Sequence, residues 1–488
     1  MKPSIPERRL LGLLIVRGEV IMDDVIAAIA TAPGEGGIGI VRISGKGAVE
    51  KVEQIFYSPT GKALSSLGSY MMTYGYIVEN KPGAKAGSNP DSRIDEVIVS
   101  IMLGPKSFTG EDVVEINCHG GMIPLRRVLE EVLRSGARMA EPGEFSKRAF
   151  LNGRIDLAQA ESILDVIRAQ TDVGLKVALK QLEGGLSIEV VEIRKGLLEL
   201  LAFIEAGIDF PEDDIEELSR EKIRGRTVEF INKLKLLVET ADSGKIYREG
   251  LSTVIVGKPN VGKSSLLNAL LKEKRAIVTD IPGTTRDVIE EVLNLQGIPV
   301  RLVDTAGIRA TEDVIEKLGV ERSKEWFGLA DLVLLVLDAQ TGLQHEDLEI
   351  ASLIKEKRCL VVINKIDVGD KFKWLEMPPE LKQFPKVEVS VKEKRGLQQL
   401  EEKIVSLVLE GKVKPGERVL VTNLRHKRAL EKAVENLNGV IQSLDHEMPT
   451  DCMSIDFKGS LECLGEVTGE SIGEDIINEI FAQFCLGK

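Results

Sequence analysis

Residues Gly257 to Ser264, "GKPNVGKS", have the spacing G-x-x-x-x-G-K-S of a phosphate-binding loop and directly follow the apolar stretch "TVIV". Glycines in such a loop let backbone N–H groups surround phosphate oxygens, and the helix that follows directs its positive N-terminus toward them. Lys263 is expected to reach the β- and γ-phosphates, and Ser264 to ligate Mg²⁺. A single motif of this kind can occur by chance, so other parts of a nucleotide site must be found in the chain.

Three further motifs follow in the order that a GTPase requires. Asp304 begins "DTAG" and is placed to hold Mg²⁺ through its water shell, while Gly307 ends this motif beside the γ-phosphate. Asp367 ends "NKID" and can accept both guanine N–H groups, a contact that adenine cannot reproduce. The stretch "TDIPGTTRD" lies between the phosphate loop and "DTAG", where a switch loop would carry a threonine ligand of Mg²⁺. Together these motifs predict a GTPase.

The residue after "DTAG" is Ile308, where Ras-type enzymes have a glutamine that orients the attacking water. Isoleucine cannot orient water, so hydrolysis must be assisted in another way. Either an acidic or amide group positions the water, or a cation replaces the arginine finger. Glu316 in "RATEDVIEKLG" is a candidate for the first role, although a solvated helix face would explain it equally well.

The composition is that of an ordinary globular protein, with 43% apolar and 29% charged residues among 488. The net charge of −13 argues against a broad basic surface that grips nucleic acid through its phosphates. The five cysteines form no metal-ligand spacing, so we expect free thiols and a cytoplasmic location. The apolar run Leu10 to Val16 is too short for a membrane span and lacks a signal-peptide cleavage site.

Pattern changes divide the chain into blocks. After an N-terminal extension, 1–21, the segment 22–145 mixes short β-rich runs with Gly and Pro breaks, which predicts an α+β domain. The segments 146–248 and 411–488 carry apolar residues at helical spacing, including Ile476, Ile480 and Phe484 near the terminus. The segment 249–410 alternates apolar strands with helical stretches, which predicts a parallel, doubly wound α/β domain inserted into a helical domain.

The stretches "GKPNVGKSSLLN", "TDIPGTTRDV", "DTAGIR" and "FCLGK" together resemble the MnmE (TrmE) family of tRNA-modification GTPases. "IATAPGEGGIGIVRISG", "SFTGEDVVEINCHGG" and "EPGEFSKRAFLNGRIDLAQAE" resemble its N-terminal domain, so the resemblance runs from about Met22 to Lys488. It implies a folate-binding N-terminal domain that forms a homodimer, a helical domain, and an inserted Ras-like G domain. It also implies an FAD-dependent partner, MnmG. With it the family modifies C5 of the wobble uridine of certain tRNAs, using a one-carbon unit from 5-formyl- or 5,10-methylene-tetrahydrofolate.

The resemblance also assigns site residues. It places K⁺ on Asn260, Thr279, Ile281 and Thr284, where the cation would supply the charge of an arginine finger, and Mg²⁺ on Ser264 and Thr285. It makes Glu316 the water-positioning acid. It assigns folate binding to Arg42, Glu115, Arg154 and Lys488. The GTP-binding positions are Asn260, Val261, Gly262, Lys263, Ser264, Ser265, Thr279, Asp280, Ile281, Pro282, Gly283, Thr284, Thr285, Asp304, Thr305, Ala306, Gly307, Asn364, Lys365, Asp367, Ser390, Val391 and Lys392.

Cys485, four residues from the C-terminus in "CLGK", admits three interpretations. Prenylation requires aliphatic residues after the cysteine and a different last residue, so a lipid anchor is disfavoured. An inert buried thiol on an amphipathic helix is the second interpretation. The third is a catalytic thiol that acts as acid, base or nucleophile, since Lys488 would favour the thiolate and the family places this tail beside the folate.

Two other functions are compatible with the G-domain motifs. A ribosome-assembly GTPase would use a basic RNA-binding module, which this acidic chain lacks, and would leave "FCLGK" unexplained. A membrane-linked signalling GTPase is disfavoured by the same C-terminal sequence. Folate binding separates the tRNA-modification hypothesis from both alternatives.

Overall fold

The computed structural model describes residues 24–79, 92–209, 220–274, 291–302, 330–354, 357–368, 377–409 and 418–488, with Gly416 and short backbone segments within 9–22. Contacts between Cα atoms divide the chain into two units. The first contains Met1–Leu164 and Thr468–Lys488, and the second contains Asp165–Val467.

The first unit is built on antiparallel strands. Its strands are β1 Arg9–Leu10, β2 Leu13–Val16, β3 Glu19–Met22, β4 Ile26–Ile29, β5 Gly36–Ser44, β6 Phe56–Tyr57, β7 Met71–Val78, β8 Arg93–Met102, β9 Val113–Gly120 and β10 Arg138–Met139. Strands β1 to β3 form a small antiparallel sheet, and the others form a seven-stranded sheet of order β10-β4-β5-β9-β8-β7-β6. All neighbours in the larger sheet are antiparallel except β10 and β4.

Two helices, Ala48–Glu53 and Met122–Arg134, pack on one face of the seven-stranded sheet, whereas Phe145 packs against Ile26 and Ala28 on the other. The helices of this part of the chain are α1 Ala48–Glu53, α2 Met122–Arg134, α3 Glu144–Leu151 and α4 Leu157–Arg168, with a 3-10 turn at Leu64–Ser66. Side chains alternate across a strand, so Val41 and Ile43 of β5 pack with α1 and α2 in the core. Arg42 of β5 therefore lies on the opposite face of the sheet, which is where the candidate folate residues meet.

The second unit contains a parallel sheet and a helical bundle. Its helices before the sheet are α5 Asp172–Leu182, α6 Gly185–Asp209, α7 Arg220–Glu239 and α8 Ala241–Glu249. The sheet domain contains β11 Leu251–Val256, α9 Lys263–Lys274, β12 Glu291–Leu295, β13 Ile298–Leu302, β14 Leu332–Asp338, α10 His345–Leu353, β15 Cys359–Asn364, α11 Pro379–Lys382, β16 Lys386–Glu388 and α12 Leu397–Leu409. Three more helices follow among the described residues, α13 Leu424–Asp445, α14 Thr450–Thr468 and α15 Glu474–Ala482.

The six-stranded sheet has the order β12-β13-β11-β14-β15-β16, parallel except for the β12–β13 hairpin. Strands β14 and β15 are buried along their whole length, as expected for strands covered on both faces. The chain leaves β11 toward β13 and later crosses to β14 on the other side. This reversal makes the carboxyl ends of β11 and β14 a topological switch point, where ligands bind in such sheets.

The helices on either side of the sheet domain share one hydrophobic core. Leu197 of α6 and Leu234 of α7 belong to the same buried cluster as Leu430 of α13 and Phe457 of α14. The predicted insertion of an α/β domain into a helical domain is therefore confirmed. The domain boundaries at 145, 248 and 410 stay predictions. The last 21 residues group with the first unit rather than with the helices before them.

Candidate functional site

The phosphate loop follows β11 and ends at the first residue of α9, as the motif predicts. Gly257 and Gly262 have φ values of 148° and 96°, which a side chain would strain. A Cβ on Gly262 would also overlap the Nδ2 atom of Asn364. Asn260 lies between them with φ 64°. The loop therefore curls tightly in front of the N-terminus of a twelve-residue helix, an arrangement that suits phosphate.

Lys263 lies over the inside of this loop. Its Nζ donates to the carbonyl oxygens of Gly257 and Lys258, each at 2.7 Å. The side chain thus curls back across the loop that it follows, which holds the ammonium beside the backbone groups expected to bind phosphate. Ser264 is next to it in the first turn of α9. These positions fit the roles predicted for a triphosphate and Mg²⁺.

Asn364 joins the phosphate loop to the guanine loops. It ends β15, is 3% exposed, and its Nδ2 donates to Val261 O at 2.9 Å. Its Oδ1 accepts from the backbone N–H of Val391 at 3.4 Å. One buried amide therefore holds two loops that are far apart in the sequence.

Lys365 makes a second link between the same regions. Its Nζ donates to Asn260 O at 2.6 Å and to Asp338 Oδ2 at 2.8 Å. Asp338 ends β14 and is buried, so this ion pair joins the ends of adjacent parallel strands to the loop. Lys365 itself has φ 65°, a conformation that tertiary contacts must hold.

Asp367 carries the predicted guanine-recognition carboxylate. Ser390 Oγ donates to its Oδ1 at 2.6 Å, and this hydrogen bond is the main reason why the pKa of Asp367 lies below its usual value. Lys392 and Lys365 favour the carboxylate further. A carboxylate that is fixed in orientation and kept ionised can accept the two N–H groups on the Watson–Crick edge of guanine.

Several predicted positions lie outside the described residues. They are Thr279, Asp280, Ile281, Pro282, Gly283, Thr284, Thr285, Asp304, Thr305, Ala306, Gly307 and Glu316. In the part of the chain that the structure describes, no cluster of three His, Cys, Asp or Glu side chains could hold a metal ion. The Mg²⁺ and K⁺ ligand sets therefore stay predictions, with Ser264 and Asn260 as their described members.

A second group of predicted residues meets in the first unit. Arg42 and Glu115 are partners in the β5–β9 register, and Arg42 Nε donates to Glu115 Oε1 at 2.9 Å. Arg42 NH1 also donates to the backbone oxygen of Gly487 at 2.8 Å. The C-terminal tail therefore lies against the sheet face that carries this ion pair.

The tail brings Lys488 and Cys485 to the same place. Burial lowers the pKa of Lys488, and the positive charge of Arg42 lowers it further, while Glu115 and Cys485 oppose this change. Cys485 is exposed, and its backbone oxygen accepts from Gly143 N at 3.5 Å. The interpretation of Cys485 as an inert buried thiol is therefore wrong, because the buried anchors of this segment are Phe481 and Phe484.

Arg154 reaches the cluster through an aromatic residue that the sequence did not single out. Its NH1 donates to Phe108 O at 2.7 Å, and its guanidinium lies 5.4 Å from the centre of the Phe108 ring. The guanidinium of Arg42 lies 5.2 Å from the same ring and 5.9 Å from that of Phe145. Phe108 belongs to "SFTGED" and Phe145 to "EPGEF", so both stand inside stretches already noted for other reasons.

A parallel sheet with a phosphate loop at its switch point, together with the motif "NKID" after a neighbouring strand, defines a P-loop GTPase. Comparison with known proteins gives the family. A family model described as the MnmE helical domain matches residues 157–485, and one described as the GTP-binding protein TrmE N-terminus matches residues 25–154.

Close relatives agree over nearly the whole chain. The tRNA modification GTPase MnmE of Alkaliphilus oremlandii (strain OhILAs) is 54% identical over 467 residues, 96% of this chain and 100% of that protein. The protein of the same name from Clostridioides difficile (strain 630) is 49% identical over 469 residues, with the same coverage. Among solved structures, the G domain of the T. maritima FeoB iron transporter is 30% identical. That match covers 32% of this chain and 98% of that one, with a TM-score of 0.24.

The chain belongs to the MnmE family of tRNA modification GTPases. The predicted family, fold class and enzyme class are therefore confirmed, and the ribosome-assembly and signalling alternatives are set aside. No helix among the described residues has the length and apolar character needed to cross a membrane.

Proposed function

We propose that the protein hydrolyses GTP while it modifies C5 of the wobble uridine of certain tRNAs. It acts in the cytoplasm with the FAD-dependent partner MnmG and adds an aminomethyl or carboxymethylaminomethyl group. The carbon comes from a tetrahydrofolate derivative, 5-formyl or 5,10-methylene, and the nitrogen comes from ammonium or glycine. The observation that carries this proposal is the meeting of Arg42, Glu115 and Lys488 beside the exposed thiol of Cys485.

The chemistry of this cluster suits a folate. A pterin is flat and presents amino and ring N–H groups, which a carboxylate such as Glu115 can accept. The rings of Phe108 and Phe145 give the cluster an apolar wall, while Arg154 and Lys488 suit an anionic glutamate tail. Cys485 would then stand close to the one-carbon unit, where a thiol can act as acid, base or nucleophile.

The sheet face around this cluster supports a homodimer. Tyr74, Ile98, Asn117 and Ile40 form one row across β7, β8, β9 and β5, next to the row that contains Arg42 and Glu115. Tyr74 and Ile98 are 46% and 45% exposed, and Met72 is 61% exposed. Apolar side chains of this size on one sheet face are typical of a protein contact surface. We assign this face to the second copy of the chain.

The nucleotide cycle is proposed to use a cation in place of an arginine finger. Mg²⁺ is held by Ser264 and Thr285, and K⁺ by Asn260 with Thr279, Ile281 and Thr284, when two G domains pair. Glu316 orients the attacking water. Asn260 supports this proposal because Lys365 fixes its backbone at φ 64° in the loop that faces the phosphates. Pairing of the G domains, triggered by GTP and K⁺, then reorganises the helical domain and the folate site.

Folate binding by the full-length protein tests the proposal. Isothermal titration with 5-formyl-tetrahydrofolate should show binding that Glu115→Gln weakens about ten- to a hundredfold, since hydrogen bonds to a charged group contribute ~1.5–3 kcal/mol. Glu50→Gln is the matched control, because Glu50 is an exposed carboxylate of α1, on the other face of the sheet, and should leave the affinity unchanged. Equal affinity of the wild type and Glu115→Gln would refute the folate site.

GTP hydrolysis in K⁺ against Na⁺ at equal ionic strength tests the cation. We expect K⁺ to raise the rate of GTP hydrolysis by the wild type at least about tenfold, since the positive charge of an arginine finger raises that rate ~10³–10⁵-fold. Asn260→Ala should lose this stimulation. Gln399→Ala, an exposed change on α12, is the control. Equal rates in both salts would contradict a potassium site.

A further inference from the structure

Lys258, the second residue of the phosphate loop, has a buried charge that the nucleotide motifs do not explain. Its side chain is 10% exposed, and its Nζ lies 3.2 Å from Oδ2 of Asp347, whose side chain is 1% exposed. Asp347 belongs to the first turn of α10. The pair therefore joins the phosphate loop to a helix about ninety residues further along the chain.

Asp347 is itself held rigidly. Its Oδ2 accepts from Gln344 N at 3.0 Å, and the Gln344 side chain caps the helix in return. Within the described part of the chain, neither Lys258 Nζ nor Asp347 Oδ1 has a well-directed hydrogen bond, so the contact at 3.2 Å is an ion pair governed by charge. A buried ammonium needs such a partner, because isolated charges are costly to bury.

The backbone of Lys258 connects this pair to the phosphate site. Its carbonyl oxygen, like that of Gly257, accepts from Lys263 Nζ at 2.7 Å. Asn364 and Lys365 fix the carbonyls of Val261 and Asn260 in the second half of the loop. The first half contains the two carbonyls on which the Lys263 ammonium rests, and the side chain of Lys258 anchors it.

We propose that Lys258 and Asp347 are a positioning pair for the phosphate loop. They fix the carbonyl oxygens of Gly257 and Lys258 against the fold, which sets the position of Lys263 and therefore the affinity for GTP and GDP. The pair binds no nucleotide itself. This inference rests on the GTP hydrolysis of the proposed function and is independent of folate and of the tRNA partner.

Variants of the full-length protein separate positioning from a purely structural role. Lys258→Met removes the charge and keeps the length of the side chain. The double variant Lys258→Met/Asp347→Leu removes both charges, a change that folded proteins often tolerate without loss of stability. Lys258→Arg keeps the charge. The matched control is Lys427→Met/Asp242→Leu, which removes a pair of similar length, 3.1 Å, whose side chains are 28% and 67% exposed.

The measurements are the dissociation constant and dissociation rate of a fluorescent GDP analogue, the kcat and KM for GTP, and the melting temperature. We expect both Lys258→Met and the double variant to weaken GDP binding and raise KM about tenfold. We expect kcat at saturating GTP to stay within about twofold. Lys258→Arg should restore most of the affinity, and the control pair should bind GDP like the wild type.

Two results would overturn the inference. Wild-type GDP affinity in the folded double variant would mean that Lys258→Met weakens binding only because it leaves the buried charge of Asp347 without its partner. Wild-type affinity in Lys258→Met itself would mean that the pair does not position the loop. Both differ from a failure of the proposed GTPase function, in which the wild type would neither bind the analogue nor turn over GTP.

Discussion

We expect guanine selectivity in this protein to depend on the hydrogen-bonding direction of a single side chain, Asp367. Its carboxylate accepts from Ser390 through Oδ1, which fixes its orientation, and the same hydrogen bond keeps its pKa low. The role of Asp367 stays a prediction from "NKID", a motif that begins at the last residue of β15 and defines the type of residue that follows it. The sequence placed Ser390 in the guanine loop but did not predict its hydrogen bond to Asp367, because the two residues are 23 positions apart in the chain.

Asp367→Asn is expected to change the preferred nucleotide. The amide donates where the carboxylate accepts, so it opposes the guanine N–H groups and suits xanthine, which has a carbonyl oxygen there. We expect kcat/KM for GTP to fall at least about a hundredfold, since a site rejects a base that leaves its polar groups unpaired. The value for XTP should rise.

Steady-state hydrolysis of GTP and XTP by the full-length variant is the measurement. Glu393→Gln, an exposed change on the neighbouring loop, should hydrolyse GTP like the wild type. A variant that still prefers GTP over XTP would show that Asp367 does not face the base.

Glu144 gives the first unit a predictable dependence on acid. Burial raises the pKa of Glu144, but hydrogen bonds from Arg138, from the N–H of Glu141 and from Arg148 outweigh it, so the pKa lies below its ordinary value of 4.5. A carboxyl group whose pKa is lower in the folded state than in the unfolded state stabilises the fold at pH values above the unfolded pKa. That contribution is lost as pH falls from about 4.5 through the lower folded pKa.

Glu144→Gln should lower the free energy of unfolding at pH 7 by about 3 kcal/mol, because it leaves the buried Arg148 with one carboxylate fewer. The difference from the wild type should shrink below pH 4. Urea unfolding followed by tyrosine circular dichroism monitors this unit, which contains four of the five tyrosines. The control is Glu130→Gln, a change at a partly exposed residue of α2. If the free energies of unfolding of Glu144→Gln and the wild type differ equally at pH 7 and below pH 4, that result contradicts the argument.

At the scale of elements, the sequence predicted β11 and β15 well because each is a short apolar run that leads into a motif, "GKPNVGKS" or "NKID". It did not predict that α5 and α8 complete the core of that domain. Val177 and Tyr247 belong to the same buried cluster as Leu293 and Val300. No local pattern defines such contacts, since the helices and the hairpin that they cover are far apart in the chain.

The turn between β12 and β13 is where α5 meets the sheet domain. Thr171 Oγ1 donates to Gly297 O at 2.8 Å while it caps α5 by accepting from Gly174 N at 3.1 Å. Gly297 has φ 90°, and a Cβ there would overlap Val173. The glycine is therefore required both by its conformation and by the closeness of the helix.

Gly297→Ala should destabilise the second unit by about 2–4 kcal/mol, through backbone strain and overpacking. Gly225→Ala is the opposite case, because Gly225 lies exposed inside α7 with nothing within 4 Å of the added Cβ. That change should stabilise by up to ~1 kcal/mol. Urea unfolding followed by far-ultraviolet circular dichroism measures both, and equal effects of the two substitutions would refute the packing argument.

For the molecule as a whole, the sequence predicted the order of the domains but not the place of the C-terminal tail. The helix predicted from Ile476, Ile480 and Phe484 is found as α15, although Phe484 lies beyond its last residue. Its buried side chain is Phe481, while Ile476 is 46% exposed. An amphipathic helix defines which of its faces is covered, within about one residue, but not what covers it. The resemblance, rather than the periodicity, indicated that "CLGK" belongs beside Arg42.

The return of the tail to the first unit makes Gly487 a test of the whole arrangement. Gly487 has φ 85°, and a Cβ there would come within 2.5 Å of Ile29 O, an oxygen that cannot move without shifting β4. Gly487→Ala must therefore displace the tail, together with the backbone oxygen that accepts from Arg42. Because the strain corresponds to ~1–3 kcal/mol, the affinity of the full-length protein for 5-formyl-tetrahydrofolate should fall at least about fivefold.

Gly473→Ala provides the matched comparison in the same segment. Gly473 has φ −71° at the start of α15 and nothing within 4 Å of an added Cβ, so folate affinity should stay within about twofold of the wild type. Isothermal titration of both variants, with circular dichroism to establish that they are folded, decides the matter. If Gly487→Ala is folded and binds folate normally, the tail forms no part of the folate site. The roles assigned to Lys488 and Cys485 would then have to be abandoned, while the GTPase site, built from the other unit, would stand.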